Sequence, residues 1–128
     1  MPRAYFDDFE PGQEWGSHDW TATSEICARW SSAFGTPSSD RMPPALAFVA
    51  LSQCVQDLLH EKPPGGVHVR QEIEFQGQAN VGDKLTTFLS VNTKYLKRER
   101  RYVEFRTVTR NAAGDVIFTG LRTTIWAA

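Results

Sequence analysis

The sequence predicts an α+β fold in which a curved antiparallel β-sheet wraps around one long central helix. Three observations predict it: a single strongly apolar helical stretch from Pro44 to His60, four alternating segments in succession after it, and a length of 128 residues that suits one hydrophobic core. A helix that is apolar on almost every side of its first two turns must be covered on most faces, and a sheet that curls about it provides the cover. Residues 1–128 are expected to form a single domain, because no internal repeat, low-complexity segment or linker interrupts them.

The N-terminal stretch YFDDFEPGQEW turns at Pro11-Gly12, and its aromatic residues are expected to anchor it to the core. Glu14 to Thr21 reads as a short strand. Thr23 or Ser24 can cap a first helix with Glu25 in its opening turn and Ile26, Trp30, Ala33 and Phe34 at helical spacing; Gly35 ends it. Thr36 to Pro43 is a loop, since Pro37 and Pro43 exclude a continuous helix. Pro44 suits a first helical position, the helix that follows is about 24 Å long, and the residues from Glu61 to Gly66 stop it.

After Gly66 the apolar period changes from helical to alternating. Val67, Val69, Ile73 and Phe75 are expected on one face of a half-buried strand, with His68, Arg70, Glu72 and Glu74 on the other. The turn Val81-Gly82-Asp83 precedes a second strand marked by Leu85, Thr87, Leu89 and Val91. Val103, Phe105 and Thr107 mark a third, and Val116 to Trp126 form a fourth after a turn from Asn111 to Asp115.

Composition narrows the function classes. A formal charge of -1 and a pI near 6.3 give no global electrostatic reason to expect nucleic acid or membrane as a partner. The basic run Lys94 to Arg101, KYLKRERR, is expected to be a solvated turn, with a local patch for the phosphates of a carrier or nucleotide-like ligand as the alternative. Aromatic residues make up 12% of the chain, and their positions on apolar phases favour core and dimer packing over a base-stacking platform. Cys27 and Cys54 fall on apolar helix faces, so both are expected buried and reduced, with no metal and no cofactor implied. No signal-peptide core and no membrane-length apolar run is present, and a cytoplasmic location is the expectation. A domain of this size gains from burying one sheet face or edge against a second chain, so self-association is expected.

The order of elements and several phrases resemble the MaoC-like dehydratase family of hot-dog folds. YFDDFEPGQEW is similar to that family's N-terminal segment, and TATSEICARWSSAFG to its first helix ending in glycine. GGVHVRQEIEF, then VGDKL, then the long hairpin running to NAAGDVIFTG follow the family's order and spacing. The resemblance covers nearly the whole chain and implies a sheet wrapped about a central helix, with two protomers joined edge to edge. It speaks for the fold more than for the activity.

The resemblance also implies chemistry, the hydration of a trans-2-enoyl thioester, which needs a base for water, an acid for the α-carbon and donors for the thioester oxyanion. In the family an Asp and a His from a G-D-x-N-P-x-H-like loop supply the first two. The matching residues here are Gly35-Thr36-Pro37-Ser38-Ser39-Asp40: Thr36 stands in the Asp position and no His falls between Gly35 and the central helix. The loop is also shorter than the family's. Asp40 and His68 are the candidate catalytic substitutes; the alternatives are a turn or capping Asp40 paired with Arg41, and a polar seam or solvent-facing His68. His18 and His60 are expected at the surface. Pro43 and Pro44 lack N–H groups, which leaves the Ala45 and Leu46 amides as oxyanion donors at the helix start. Trp30, Phe34 and Met42 beside them would form an apolar slot for an acyl chain, or simply pack the first helix on the sheet.

Three functions follow from this reading. The first is a lyase of the hydratase or dehydratase type acting on an acyl thioester of coenzyme A or a carrier protein. The second is a non-catalytic hot-dog subunit that completes the acyl pocket of a heterodimeric partner bearing the Asp and His. The third is a thioesterase or ligand-binding homodimer. A thioesterase needs a carboxylate near the helix, and the helix itself offers only Asp57 near its far end, where a structural role is expected.

Overall fold

A computed structural model describes residues 5–35, 39–59, 63 and 65–127. A 3-10 turn at Phe6–Asp8 leads into β1 (Glu14–Thr21), α1 (Ser24–Phe34) and α2 (Leu46–Leu58), followed by β2 (Val67–Phe75), β3 (Lys84–Lys97), β4 (Arg100–Arg110) and β5 (Val116–Trp126). All neighbouring strands are antiparallel, in the order β1-β3-β4-β5-β2. Thus β1 and β2 are the two edges of the sheet.

The first helix begins and ends where the sequence places it. The Thr23 hydroxyl accepts the Ile26 amide at 3.1 Å, and Gly35 closes the helix in the left-handed region at φ 65°, its N–H donating to the Ser31 carbonyl. Its apolar spacing overstates its burial. Cys27 alone is fully buried, Ile26 and Trp30 pack on the core, and Ala33 and Phe34 in the last turn are exposed.

The central helix is shorter than the sequence suggests, with Leu46–Leu58 spanning about 20 Å. Pro44 and Ala45 form a turn instead, because the Leu46 and Ala47 amides donate to the Pro43 and Pro44 carbonyls at 3.0 Å each. His60 lies outside the described residues, as do Thr36, Pro37, Ser38, Glu61, Lys62 and Pro64. The buried stripe divides between two clusters. Leu46, Ala47, Ala50 and Leu51 pack with Trp20, Leu85 and Phe118, while Cys54, Val55 and Leu58 pack with Phe9, Leu89, Val91, Val103, Phe105 and Trp126. The first two turns are covered on most faces, as expected, through Leu46, Ala47, Ala50 and Leu51 with Val49 packed beside them, while Phe48 is 49% exposed.

The aromatic N-terminal segment is an anchor, as expected. Phe9 is fully buried, with its ring 4.8 Å from Trp15, 5.3 Å from Phe105 and 5.1 Å from Trp126. The contacts with Phe105 and Trp126 are edge-to-face, a packing that adds to simple area burial. Both cysteines are buried and free, and burial pushes the Cys54 thiol up to about 12, so it stays protonated.

The basic run is the solvated turn expected, and a tight one: β3 and β4 extend into it and meet at a two-residue loop, Arg98-Glu99, with φ of 51° and 65°. Paired positive φ values match the twist of a tight hairpin. Strand β2 is mostly exposed where a half-buried strand was expected, with Val67 and Val69 55% and 51% exposed. Its position at the sheet edge explains this, as does a bulge between His68 and Arg70. Directly opposed residues share a face. The pairs His68 with Thr124, Gln71 with Arg122, Ile73 with Gly120 and Phe75 with Phe118 therefore set His68 on the same, inner face as Ile73 and Phe75.

Candidate functional site

A cavity of about 440 Å³ opens where α2 begins. Trp30 of α1 forms one wall, the segment Ser39 to Ala45 its floor, and Phe75, Gly77, Gln78, Ala79 and Ile117 the opposite wall. Its volume and apolar lining are those of a small-molecule site. The floor is held in place by the backbone: the Met42 amide donates to the Ala79 carbonyl at 2.9 Å, the Val81 amide to the Asp40 carbonyl at 2.8 Å, and Arg41 bridges to Asn80. The proline pair matters here, because Pro43 and Pro44 bring no N–H groups that would need partners in an apolar wall.

Of the residues singled out for an acyl slot, Trp30, Met42 and Ala45 line this cavity. Phe34 does not. It stacks on Trp30 with ring centroids 4.3 Å apart and is 64% exposed. Leu46 does not either, because its side chain is in the core and its amide is bonded to the Pro43 carbonyl. That leaves the Ala45 amide as the one candidate oxyanion donor at the helix start. The far wall escaped sequence reasoning. Gly77 was its one signal: a β-carbon there would lie 3.1 Å from the Val116 carbonyl oxygen, so the glycine lets the end of β2 close against the start of β5.

Asp40 and His68 are not brought together. Asp40 is exposed in the bend between Ser39 and Arg41, two residues that line the first cavity, and no ion pair joins it to Arg41 among the described residues. His68 is exposed on β2, as the solvent-facing alternative expects, and its ring lines a second cavity, toward the other end of α2, with Arg122 and Trp126. Its imidazole is held below the ordinary range by burial and by the Arg122 guanidinium, against a backbone hydrogen bond at Arg70 that acts the other way. Among the described residues the first cavity is lined by no carboxylate and no imidazole; Arg41 is its single charged residue.

His18 departs from the surface position expected of it. It is half-buried opposite Thr87 on the inner face of the sheet, and its Nδ1 has no hydrogen-bond partner among the described residues. Asp57 is exposed in the last turn of α2.

No protein-family model and no curated relative matches this sequence at a significant level. Solved structures do match. The R-hydratase PhaJ1 from Pseudomonas aeruginosa is 17% identical with a TM-score of 0.78, over 97% of this chain and 86% of that one. A MaoC-like dehydratase from Rhodospirillum rubrum is 11% identical with a TM-score of 0.82, over 97% of each chain. The HadBC (3R)-hydroxyacyl-ACP dehydratase complex from Mycobacterium tuberculosis is 17% identical with a TM-score of 0.77, over 90% of this chain and 96% of that one. The chain thus has the hot-dog fold, in the form seen in MaoC-like dehydratases and R-hydratases. No helix among the described residues is long and apolar enough to cross a membrane.

Proposed function

We propose that this chain is a hot-dog subunit that holds the acyl group of a coenzyme A or carrier-protein thioester in the cavity at the start of α2, while a second hot-dog chain paired along β2 supplies the acid and base. One observation carries the reading: the cavity has the size and apolar walls for an acyl chain, yet no group among its described lining residues can exchange a proton with substrate near neutral pH. Thr36, Pro37 and Ser38, which complete the loop, offer no such group by their chemistry. The open β2 edge, with Val67, Val69 and Phe75 exposed, supports pairing with another chain. The HadBC and ChsH1-ChsH2 neighbours are themselves complexes of two different chains.

The alternative is a hydratase acting by itself, favoured by Asp40, an exposed carboxylate in the bend between Ser39 and Arg41, both of which line the cavity. Crotonyl-CoA separates the two. On the subunit reading the purified chain binds crotonyl-CoA in calorimetry but does not hydrate it, and it copurifies with a second hot-dog chain whose addition brings hydration. Hydration by this chain alone that falls away in Asp40→Asn establishes the alternative. Release of free thiol from acyl-CoA would instead establish a thioesterase, and absence of acyl-CoA binding would sink all three.

A further inference from the structure

The second cavity, about 240 Å³ in volume, lies between the end of α2, the start of β2 and the end of β5. Its polar side is made by Arg122, His68 and Thr124, and its apolar side by Val55, Phe105 and Trp126. Two features of the chain build it. The β2 bulge sets His68, which stays exposed, on the helix-facing side of the sheet opposite Thr124, and the next position on that side, Gln71, pairs with Arg122. Without that extra residue the alternation of β2 would carry His68 to the outer face.

Arg122 is the unusual member. It is half-buried, and burial lowers the pKa of its guanidinium. Among the described residues no carboxylate lines the cavity, and no ion pair or hydrogen bond satisfies this side chain. The titratable groups that couple to it directly are His68, held toward neutrality, and the Cys54 thiol of α2, which is protonated; the carboxylate of Asp57, which acts on Cys54 from the last turn of α2, does not line the cavity. A partly desolvated cation in a cavity that no carboxylate lines among the described residues is costly, and the cost is recovered when an anion docks on it.

We infer that this cavity binds a small carboxylate, its oxygens on the Arg122 guanidinium and His68 and its short apolar tail against Val55, Phe105 and Trp126. The planar guanidinium presents paired N–H donors that match a carboxylate. One cation beside a neutral imidazole balances a monoanion rather than a phosphate dianion. The apolar wall asks for carbon rather than water next to the charged head, and the volume limits that tail to a few carbons. The inference is independent of what the cavity at the other end of α2 binds.

Butyrate titrated into the intact protein by calorimetry tests it, with inorganic phosphate as a second ligand. One saturable butyrate site per chain is expected, binding tighter than phosphate and weakened about tenfold or more in Arg122→Met, as loss of a charge-assisted pair implies. Arg122→Lys is expected to recover part of the affinity. Should Arg122→Met fold poorly, His68→Leu at the strand edge provides a second variant, with a smaller loss expected. In the wild type, NMR of the His68 ring should show its pKa rising when butyrate binds, since an anion offsets the field of Arg122. Phosphate binding tighter than butyrate overturns the carboxylate assignment. No saturable binding, or binding indifferent to both variants, overturns the site; if Arg122→Met then separates a dimer, the guanidinium belongs to the subunit seam instead.

Discussion

The indole Nε1 of Trp15 donates to the carbonyl oxygen of Leu58 at 2.9 Å, tying β1 to the last turn of α2. The final carbonyls of a helix have no intrahelical donors, and here a side chain from another element supplies one. The next residue makes the approach feasible. A β-carbon on Gly16 would lie 3.1 Å from Leu58 Cδ2, so only a glycine lets β1 pass the helix at this distance without displacing Leu58. Trp15→Phe preserves a ring against Phe9 but removes the donor. The expected result is a loss of about 1–2 kcal/mol in urea unfolding, with the m-value unchanged.

Gly120 lies on β5, between β4 and the edge strand β2, opposite Thr107 on one side and Ile73 on the other. A β-carbon there would collide with Thr107 Oγ1 and approach the Glu72 carbonyl oxygen to 3.3 Å. Gly120→Ala is expected to destabilise the protein by about 1–3 kcal/mol, the usual range for overpacking. Thr107 Oγ1 is buried without a hydrogen-bond partner among the described residues, so removing it forfeits little. Thr107→Ala placed in the Gly120→Ala background should therefore restore part of the loss in a double-mutant cycle, and simple additivity would show that the strain lies elsewhere.

Much of the fold was legible because its signals are local. Thr23 caps and Gly35 stops α1 through side-chain and backbone chemistry that acts within a few residues, and the alternation of Leu85, Leu89, Val103 and Phe105 survives intact in the buried rows of β3 and β4. Strand β2 was misread because periodicity assumes uninterrupted pairing. One bulge moves His68 to the inner face, and edge position leaves Val67 and Val69 uncovered; neither is encoded in the alternation itself. The floor of the first cavity was found from Pro43 and its neighbours, but its far wall needs the closure of Gly77 on β5, a contact between segments distant in sequence. Phe34 was placed in the slot by helical spacing, and the structure spends it on covering Trp30.

The exposed valines of β2 bear on assembly. Val69 is 51% exposed, at the bulge of an edge strand whose outer backbone groups have no neighbour within the sheet. A charge at such a position blocks edge-to-edge pairing at little cost to the fold. Val69→Asp is expected to change unfolding stability of the isolated chain by about 0.5 kcal/mol or less, and to abolish association with its own copy or with a second hot-dog chain in sedimentation velocity. Association that persists unchanged would place the seam away from β2.

The pH behaviour of His68 follows from its neighbours. Burial and then the Arg122 charge hold its pKa below the ordinary 6.5, so the fold favours the neutral ring. The sign is fixed by that direction: the contribution of this group to stability is fully present above the unfolded value and is lost as pH falls below it, because the unfolded chain takes up the proton first. In NMR titration the His68 ring is expected to reach its midpoint below 6.5, identified by its absence from His68→Gln. Arg122→Met removes the second cause and leaves the first, so the midpoint should rise without fully recovering the ordinary value. A midpoint unmoved by that substitution would mean that burial alone sets the shift.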